Sequence, residues 1–569
     1  MRKKQQISGA EALLNVLLEE GVDTVFGYPG GAIMPLYDKL YDYTKRLKHI
    51  LVRHEQGAVH AAEGYARASG RVGVCLATAG PGATNLVTGI ADALMDSTPI
   101  VCITAQVAKD NIGTNFFQEA DTLGITNSIT KWSYEITCAD EVAQATSKAF
   151  YIARMGRPGP VLISITRNAQ LELTDYHYSQ FEPKDSKASQ KGYREEDIEA
   201  AALLVNSAQR PMIIVGQGIL ISGAEKEVRQ FAEGGNIPVT STLLGISAFP
   251  TGHPLFRGNV GMHGNYAPNK MTQYADLIVA VGMRFSDRVT SDPTLYAPKA
   301  RIVHIEIDRA EINKTVHADI PLVGDAKEIL QRLVPKVSFK KRGAWFRFIG
   351  NHQKEEQRIV TAQVLSKKEN SIRMGAVVNA VAEISKGEAI IVTDVGQHQM
   401  FAALYSKFTR SRGMITSGGL GTMGFGLPAA IGAKVAMGER EVILFAGDGG
   451  IQMSLQELGT IMQSDIAVKI IILHNEYLGM VRQWQEMFFN HRYSHTHMIN
   501  PDFTKIAESY GIRTCRIEKY SNMDQAIREM IEYQGPYLLE VMVEREENVF
   551  PMIPAGVSLD GIIMKTIHK

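Results

Sequence analysis

Short, wholly apolar runs alternate along this chain with longer stretches in which apolar positions recur every three or four residues. The first region, to about residue 167, opens with the amphipathic pattern GAEALLNVLLEEG from Gly9, which predicts a helix. Helical stretches then alternate with the short runs TVFGY, HILV, VGVCLAT, PIVCITA and PVLISI. Strands that are apolar throughout and separated by helices predict a parallel sheet covered on both faces. A second region, about 193–335, repeats the pattern with PMIIVGQG, IPVTS, DLIVAVG and RIVHIEID. A third begins near Ser371 and has AIIVTDVG, EVILFAGDG and KIIILHN. The polar stretch SQFEPKDSKASQKGYREED reads as a linker between the first two, and KKRGAWFRFIGNHQKEEQRIV leads into the third. The expected fold is α/β, with three doubly wound parallel-sheet domains at 1–172, 193–335 and 371–569.

Composition narrows the function classes. The 569 residues are 45% hydrophobic and 21% charged, an ordinary soluble composition with material for several domains. Lys plus Arg and Asp plus Glu both total 60, so a nucleic-acid or anionic-membrane partner gains no electrostatic support. The four cysteines, Cys75, Cys102, Cys138 and Cys515, form no C-x-x-C pair. A reduced, cytoplasmic chain is expected, not a disulfide scaffold or a zinc site. The basic opening Met1-Arg2-Lys3-Lys4 is followed by an acid-bearing helix pattern and does not read as a signal peptide. No run of 18 apolar residues is present, so no membrane span is expected.

Chemistry concentrates in the third region. Asp448, flanked by Gly447 and Gly449, ends one apolar run, and Asn475, 27 positions later, ends the next. Ligands of open parallel sheets bind beyond the carboxyl ends of the strands. If the two strands are neighbours, the Asp448 carboxylate, the Asn475 carboxamide and the Tyr477 backbone carbonyl offer three hard oxygen ligands to one point, as Mg²⁺ requires. Gly447, Gly449 and Gly450 would let backbone N–H groups approach a diphosphate. The alternative is a plain strand–turn–helix with Asp448 as an N-cap and Asn475 in a turn.

Gly-Asp-Gly followed at this interval by Asn resembles the signature of thiamine-diphosphate (ThDP) enzymes, although their usual Asn-Asn is His474-Asn475 here. The resemblance implies that Asp448, Asn475 and Tyr477 hold Mg²⁺ against the cofactor's diphosphate. In RHEQGAVHAAEGYAR it implies that Glu55 hydrogen-bonds the aminopyrimidine and activates it, while Glu63 is an exposed or structural helix residue. A cap on the helix dipole is the alternative role for Glu55. The Gly- and Pro-rich loops FGYPGG (Tyr28, Pro29, Gly30) and AGPGATN (Pro81, Asn85) fit backbone approach to the cofactor. VGQHQM (Val395, Gly396, Gln397, His398) and TSGGLGTMGFGLP (Gly421, Met423) fill that role in the third region, Met423 as the apolar wedge. Core packing is the alternative for Met423. The family pattern places the two halves of each site on different subunits.

From GAEALL to EENVFPMIPAG the chain is similar to the catalytic subunits of acetohydroxyacid (acetolactate) synthases. In GMRFSDRVT, the resemblance gives Arg288 the carboxylate of the second 2-ketoacid and Asp287 the orienting of that region, and a surface ion pair is the alternative. In YLGMVRQWQEMF it gives Trp484, beside Met480, the extra methyl of 2-ketobutyrate, and an ordinary core role is the alternative. Gln118, after Phe117 in IGTNFFQEAD, would approach substrate or flavin. FAD would lie along Arg157, Gly216, Gln217, Gly218, Thr242, Leu243, Leu244, Gly245, His263, Gly282, Met283, Arg284, Asp287, Arg288, Glu306, Ile307, Asp325 and Ala326. A vacant, vestigial nucleotide-binding domain is the alternative. Ala105, Arg167, Gln217 and His474 depart from the family pattern, and Arg167 stands where a Lys is usual at the active-site mouth.

The implied reaction decarboxylates pyruvate on ThDP and transfers the two-carbon unit to pyruvate or 2-ketobutyrate, in branched-chain amino-acid synthesis. The implied cofactors are ThDP, Mg²⁺ and FAD. The implied assembly is a homodimer or tetramer with a separate regulatory small subunit, since all three regions are committed to cofactor sites. A FAD-free catabolic acetolactate synthase, a pyruvate oxidase and a non-catalytic flavin- or nucleotide-binding protein are the rival readings.

Overall fold

The computed structural model describes residues 6–183 and 192–565. The basic opening and much of the first polar linker lie outside the described residues. Three six-stranded parallel sheets carry the chain. In the first, the order across the sheet is Lys48–Leu51, Thr24–Gly27, Gly73–Ala77, Ile100–Gln106, Val161–Thr166, Trp132–Ile136. In the third it is Met414–Ile415, Ile390–Thr393, Val442–Gly447, Lys469–His474, Tyr537–Met542, Arg513–Ile517. Numbered along the chain within each domain, both read 2-1-3-4-6-5. The central sheet runs Phe256–Asn259, Val239–Ser241, Pro211–Val215, Leu277–Val281, Arg301–Glu306, Ile320–Val323, or 3-2-1-4-5-6. A two-stranded antiparallel ribbon, Gln6–Ser8 with Leu173–Asp175, closes the first domain. No described helix is long and apolar enough to cross a membrane.

Most inner strands are buried at every residue, which explains their continuous apolar runs. The orders also fix where ligands can enter. Each sheet has a switch point, where the crossovers leave from either side and a crevice opens at the strand ends. In the first and third sheets it lies between strands 1 and 3, and in the central sheet between strands 1 and 4. Those strand ends lead into Tyr28–Gly30 and the 79–85 loop in the first domain. They lead into Val395–Gly396 and Asp448 in the third, and into Gly216–Gly218 and Gly282–Arg284 in the centre.

The first and third domains pack through the helices Glu55–Ser69 and Gly426–Met437, and they share one apolar core. The helices approach so closely that a Cβ on Gly64 would fall 2.0 Å from the Ala429 carbonyl oxygen, and one on Gly432 would fall 1.8 Å from that of Ala61. Only a residue without a side chain fits either place. The stretch leading into the third domain is ordered as the helix Gly343–Glu356 on the central domain. There the buried Trp345 indole donates to the Pro211 carbonyl at 3.0 Å.

Candidate active site

In the third sheet, Val442–Gly447 and Lys469–His474 are hydrogen-bonded neighbours with Gly447 opposite Leu473, which brings Asp448 and Asn475 to the same edge. Asp448 is the first residue of the helix Asp448–Gln452 and is 1% exposed. Its Oδ2 accepts from the Glu476 N–H at 2.7 Å and from Asn500 Nδ2 at 2.8 Å. Asn475 Oδ1 accepts from the Tyr477 N–H at 3.2 Å, so the turn 475–477 folds back on its own carboxamide. Burial holds the Asp448 carboxyl above its usual range, with His474 opposing the shift. A cation at this point would relieve that burial cost, and an all-oxygen donor set suits a hard divalent ion.

The sequence put His474 where the first Asn is usual but did not show its partners. His474 Nδ1 is 2.7 Å from the fully buried Glu540, and its Nε2 is 2.9 Å from Asn500 Nδ2. Arg516 Nε donates to the other Glu540 oxygen at 2.8 Å. Asn500 and Glu540 therefore brace the Asp448 edge, and neither belongs to a recognisable motif.

Beside Asp448, His398 sits between two glycines. A Cβ on Gly396 would fall 2.9 Å from its ring, and one on Gly447 would fall 3.0 Å from it. Burial lowers the His398 pKa to about 4, and its Nε2 is buried without a hydrogen-bond partner. Gln397 Nε2 is tied to Gln483 Oε1 at 3.1 Å and to the Glu547 carbonyl at 2.7 Å, while its Oε1 is unpartnered. Unsatisfied buried groups at glycine-lined strand ends suit a phosphorylated ligand. A Cβ on Gly449 would meet Leu478 at 2.7 Å and come within 3.7 Å of the Met423 methyl. Gly450 would meet the Asp394 carboxylate at 2.4 Å.

A cavity of about 890 Å³ runs from Val395 and Gly396, at the neighbouring strand end, into the central domain, and Asp448, Asn475, Tyr477 and His398 do not line it. The third domain contributes Val395, Gly396, Gly421, Met423, Met480 and Trp484. The Trp484 ring lies 5.1 Å from Phe488 and also packs on the third-domain core, so the residue has both a cavity face and a core face. From the central domain come Gln217, Gly218, Thr242, Leu243, Leu244, His263, Gly282, Met283, Arg284, Asp287, Arg288, Glu306, Ile307, Asp325 and Ala326, and from the first domain Arg157. Gly216 and Gly245 are spacers behind this wall: a Cβ on Gly245 would fall 2.2 Å from the Val215 carbonyl.

Several features of the wall suit a dinucleotide. Gly282 has φ +58°, and a Cβ there would fall 2.6 Å from Gly218 Cα, so the two switch-point turns touch backbone to backbone. Arg284 makes no hydrogen bond or ion pair among the described residues, and burial lowers its pKa, which favours an anionic partner in the cavity. Arg157 is held by Ser97 Oγ at 2.8 Å and Glu311 at 3.1 Å. Burial raises Glu306 to about 7, against N–H donors from Ile307 and Asp308. Burial lowers His263 to about 4, with Arg288 adding to the shift. The Arg288 side chain is 62% exposed, 3.7 Å from Asp287 Oδ2, and its Nη1 reaches Met262 Sδ at 3.4 Å. A loose, solvent-facing pair leaves the guanidinium available to another carboxylate.

The first-domain residues form a separate cluster. Glu55 opens its helix, and its Oε2 accepts from Asn85 Nδ2 at 2.9 Å. A Cβ on Gly82 would come within 3.2 Å of Glu55 Oε1, and one on Gly80 within 2.7 Å of the Gln118 carbonyl. Glu55, Pro81, Asn85 and Gln118 are thus one neighbourhood, yet none of them lines the large cavity. Around it Tyr28 is 40% exposed and Phe117 81% exposed. Glu63, expected to be an exposed or structural helix residue, is fully buried and 2.9 Å from His60 Nδ1. The close packing against the Gly426–Met437 helix leaves that face no access to water.

Three family profiles match in succession: thiamine pyrophosphate enzyme, N-terminal TPP binding domain over 7–125, central domain over 198–333, and C-terminal TPP binding domain over 394–541. Fold and match together define a thiamine-diphosphate enzyme. The chain is 42% identical over 566 residues to the acetolactate synthase large subunit of Lactococcus lactis, covering 99% of this chain and 97% of that one. It is 41% identical over 560 residues to the acetolactate synthase isozyme 2 large subunit of Escherichia coli, covering 98% and 100%. The chain belongs to the acetolactate synthase large-subunit family.

Proposed function

We propose that the chain makes 2-acetolactate from two molecules of pyruvate, and 2-aceto-2-hydroxybutyrate when 2-ketobutyrate is the acceptor. The observation that carries this reading is the single cavity joining the switch-point glycines of the central domain to Met423, Met480 and Trp484. Bound ThDP supplies the carbanion and the electron sink for decarboxylation. The protein's part is to hold, orient and move protons. Asp448, Asn475 and the Tyr477 carbonyl hold Mg²⁺, and His398 with the 447–450 turn meets the diphosphate. Met423, at the cavity wall, would support the cofactor's ring system. Glu55 exchanges a proton with the aminopyrimidine ring nitrogen, and Asn85 keeps its carboxylate in place.

Arg288 binds the acceptor's carboxylate, and Trp484 with Met480 packs its alkyl group. Gln118 faces the same space from the first domain of a second copy. Glu55 stands in a first-domain cluster apart from the third-domain residues, which supports a site completed by a second chain, with a homodimer or a multiple of it as the functional unit. Arg157, Arg284, Glu306 and Asp325 hold FAD along the central switch point. FAD serves there as a structural group, since the overall reaction has no net redox change. A separate small subunit supplies regulation, and the enzyme works in the cytoplasm.

Purified protein, given pyruvate, ThDP, Mg²⁺ and FAD, tests the reading. It predicts acetolactate, a flavin absorbance spectrum, and activity lost on chelation and restored by Mg²⁺.

A further inference from the structure

The loop 416–424, which carries Gly421 and Met423 to the cavity, is held largely from outside its own domain. The helix Val87–Met95 of the first domain reaches it with two buried carboxylates. Asp96, at the helix C-cap, accepts the Gly418 N–H on Oδ2 at 2.8 Å and the Gly419 N–H on Oδ1 at 2.7 Å. Asp92 Oδ1 accepts from the Ser417 hydroxyl and from Thr422 Oγ1 at 3.1 Å, and Ser417 Oγ accepts the Thr422 N–H at 2.8 Å. Arg67 bridges Asp96 at 3.3 Å and the Thr416 carbonyl at 2.5 Å. Asp394, from the third domain, completes the grip through the Gly424 and Gly426 N–H groups.

A carboxylate at a helix C-terminus opposes the helix dipole, so Asp96 has no local reason to be there. Its partners are the loop N–H groups. Asp92 differs. Its Oδ2 is buried without a hydrogen-bond partner, and the side chain lies in a cluster with His60 and Glu63, whose ligand atoms come within 4.8 Å of one another. His60 Nε2 and Glu63 Oε2 are also buried without partners.

We infer that Asp92 and Asp96 are positioning residues that set the shape of the cofactor loop 416–424 of the same chain, with Asp96 acting as an acceptor on both oxygens and Asp92 carrying a proton shared with Glu63. This rests on the ThDP reading above. Three acids, Glu63, Asp92 and Asp96, face one another here, with His60 and Arg67 beside them, Asp394 on His60 and Arg284 nearer Asp96. One guanidinium cannot offset three buried negative charges. Burial and Glu63 raise Asp92 to about 8, and burial raises Glu63 well above its usual value. A raised acid keeps its proton in the folded protein up to about pH 8, so its contribution to stability is full only below the ordinary carboxylate range and is lost as pH rises through about 8, where the proton leaves the grip.

The test is ThDP binding to the purified protein with Mg²⁺, followed by intrinsic fluorescence or calorimetry across pH 6.5–9.5. Asp96→Asn replaces one acceptor by a donor and weakens binding about 10–100-fold, the loss expected for a hydrogen bond to a charged group. Asp92→Asn keeps wild-type affinity because its amide N–H can stand in for the shared proton, and it loses the fall above pH 8. Asp92→Ala weakens binding at every pH. Wild-type affinity in Asp96→Asn overturns the clamp, and equal losses in Asp92→Asn and Asp92→Ala overturn the shared proton. If Asp96→Asn does not fold, Ser417→Ala probes the grip from the loop side: a loss of affinity supports it, and none overturns it. Wild-type protein that binds no ThDP at all refutes the cofactor reading itself, a result separate from these.

Discussion

Asn85 donates a 2.9 Å hydrogen bond to Glu55, joining the glycine-rich 79–85 loop to the first residue of the long first-domain helix. The bond fixes a carboxylate at a strand-to-helix junction beside Gly82, where no side chain intrudes. A proton-transfer group needs this kind of fixed orientation.

Glu55→Gln keeps that hydrogen-bonding geometry and removes the proton chemistry. Turnover should fall by about 10²–10⁴-fold, while ThDP affinity changes little. Steady-state rates together with a direct binding titration separate the two. A variant with near-wild-type turnover removes Glu55 from the mechanism.

Asp448 leads to a pH-dependent metal requirement. Burial raises its carboxyl above the usual range, so without a cation the proton is retained to higher pH, and Mg²⁺ must displace it. The Mg²⁺ concentration for half-activation should therefore rise as pH falls, and Asp448→Ala should raise it steeply at all pH values. A Mg²⁺ titration of the variant that overlays the wild type excludes Asp448 as a ligand.

Gly282→Ala introduces a Cβ 2.6 Å from Gly218 Cα at a left-handed position. The backbone term alone costs about 1–2 kcal/mol, before the clash. Purified variant should carry little flavin, read from its visible absorbance, and should melt at a lower temperature. Full flavin content would mean that the two switch-point turns are not part of the flavin site.

Trp484→Leu removes apolar surface from the cavity and leaves the helix Gly479–Phe488 to its core contacts. One methylene in a pocket is worth about 1–3 kcal/mol, so preference for 2-ketobutyrate should drop by tens-fold at most while acetolactate formation survives. Both acceptors in one tube give the product ratio directly, and an unchanged ratio assigns Trp484 to the core alone.

Most inner strands were legible because they are largely apolar and end at Gly-, Pro- or Asp-bearing turns. Among the edge strands, Lys48–Leu51 was read as HILV, and others were not. Trp132–Ile136 and Arg513–Ile517 carry Glu135, Arg513 and Arg516 in half-exposed positions, which breaks the apolar run. Tyr537–Met542 is an inner strand, buried over its first five residues, yet contains Glu540, whose charge is intelligible only with Arg516 and His474 beside it in space. The same holds for the site. Asp448 and Asn475 were candidates from local pattern and Glu55 from the family resemblance, whereas the contacts of Asn500, Asp92 and Asp96 are with residues distant in the chain.

The measurement that bears most directly on the account is product analysis with pyruvate as sole substrate, with ThDP, Mg²⁺ and FAD present and oxygen uptake monitored. The account predicts one acetolactate and one CO₂ for every two pyruvates, no oxygen consumption, and loss of the product in Glu55→Gln. Pyruvate consumption that tracks oxygen uptake, or CO₂ release without acetolactate, would contradict it.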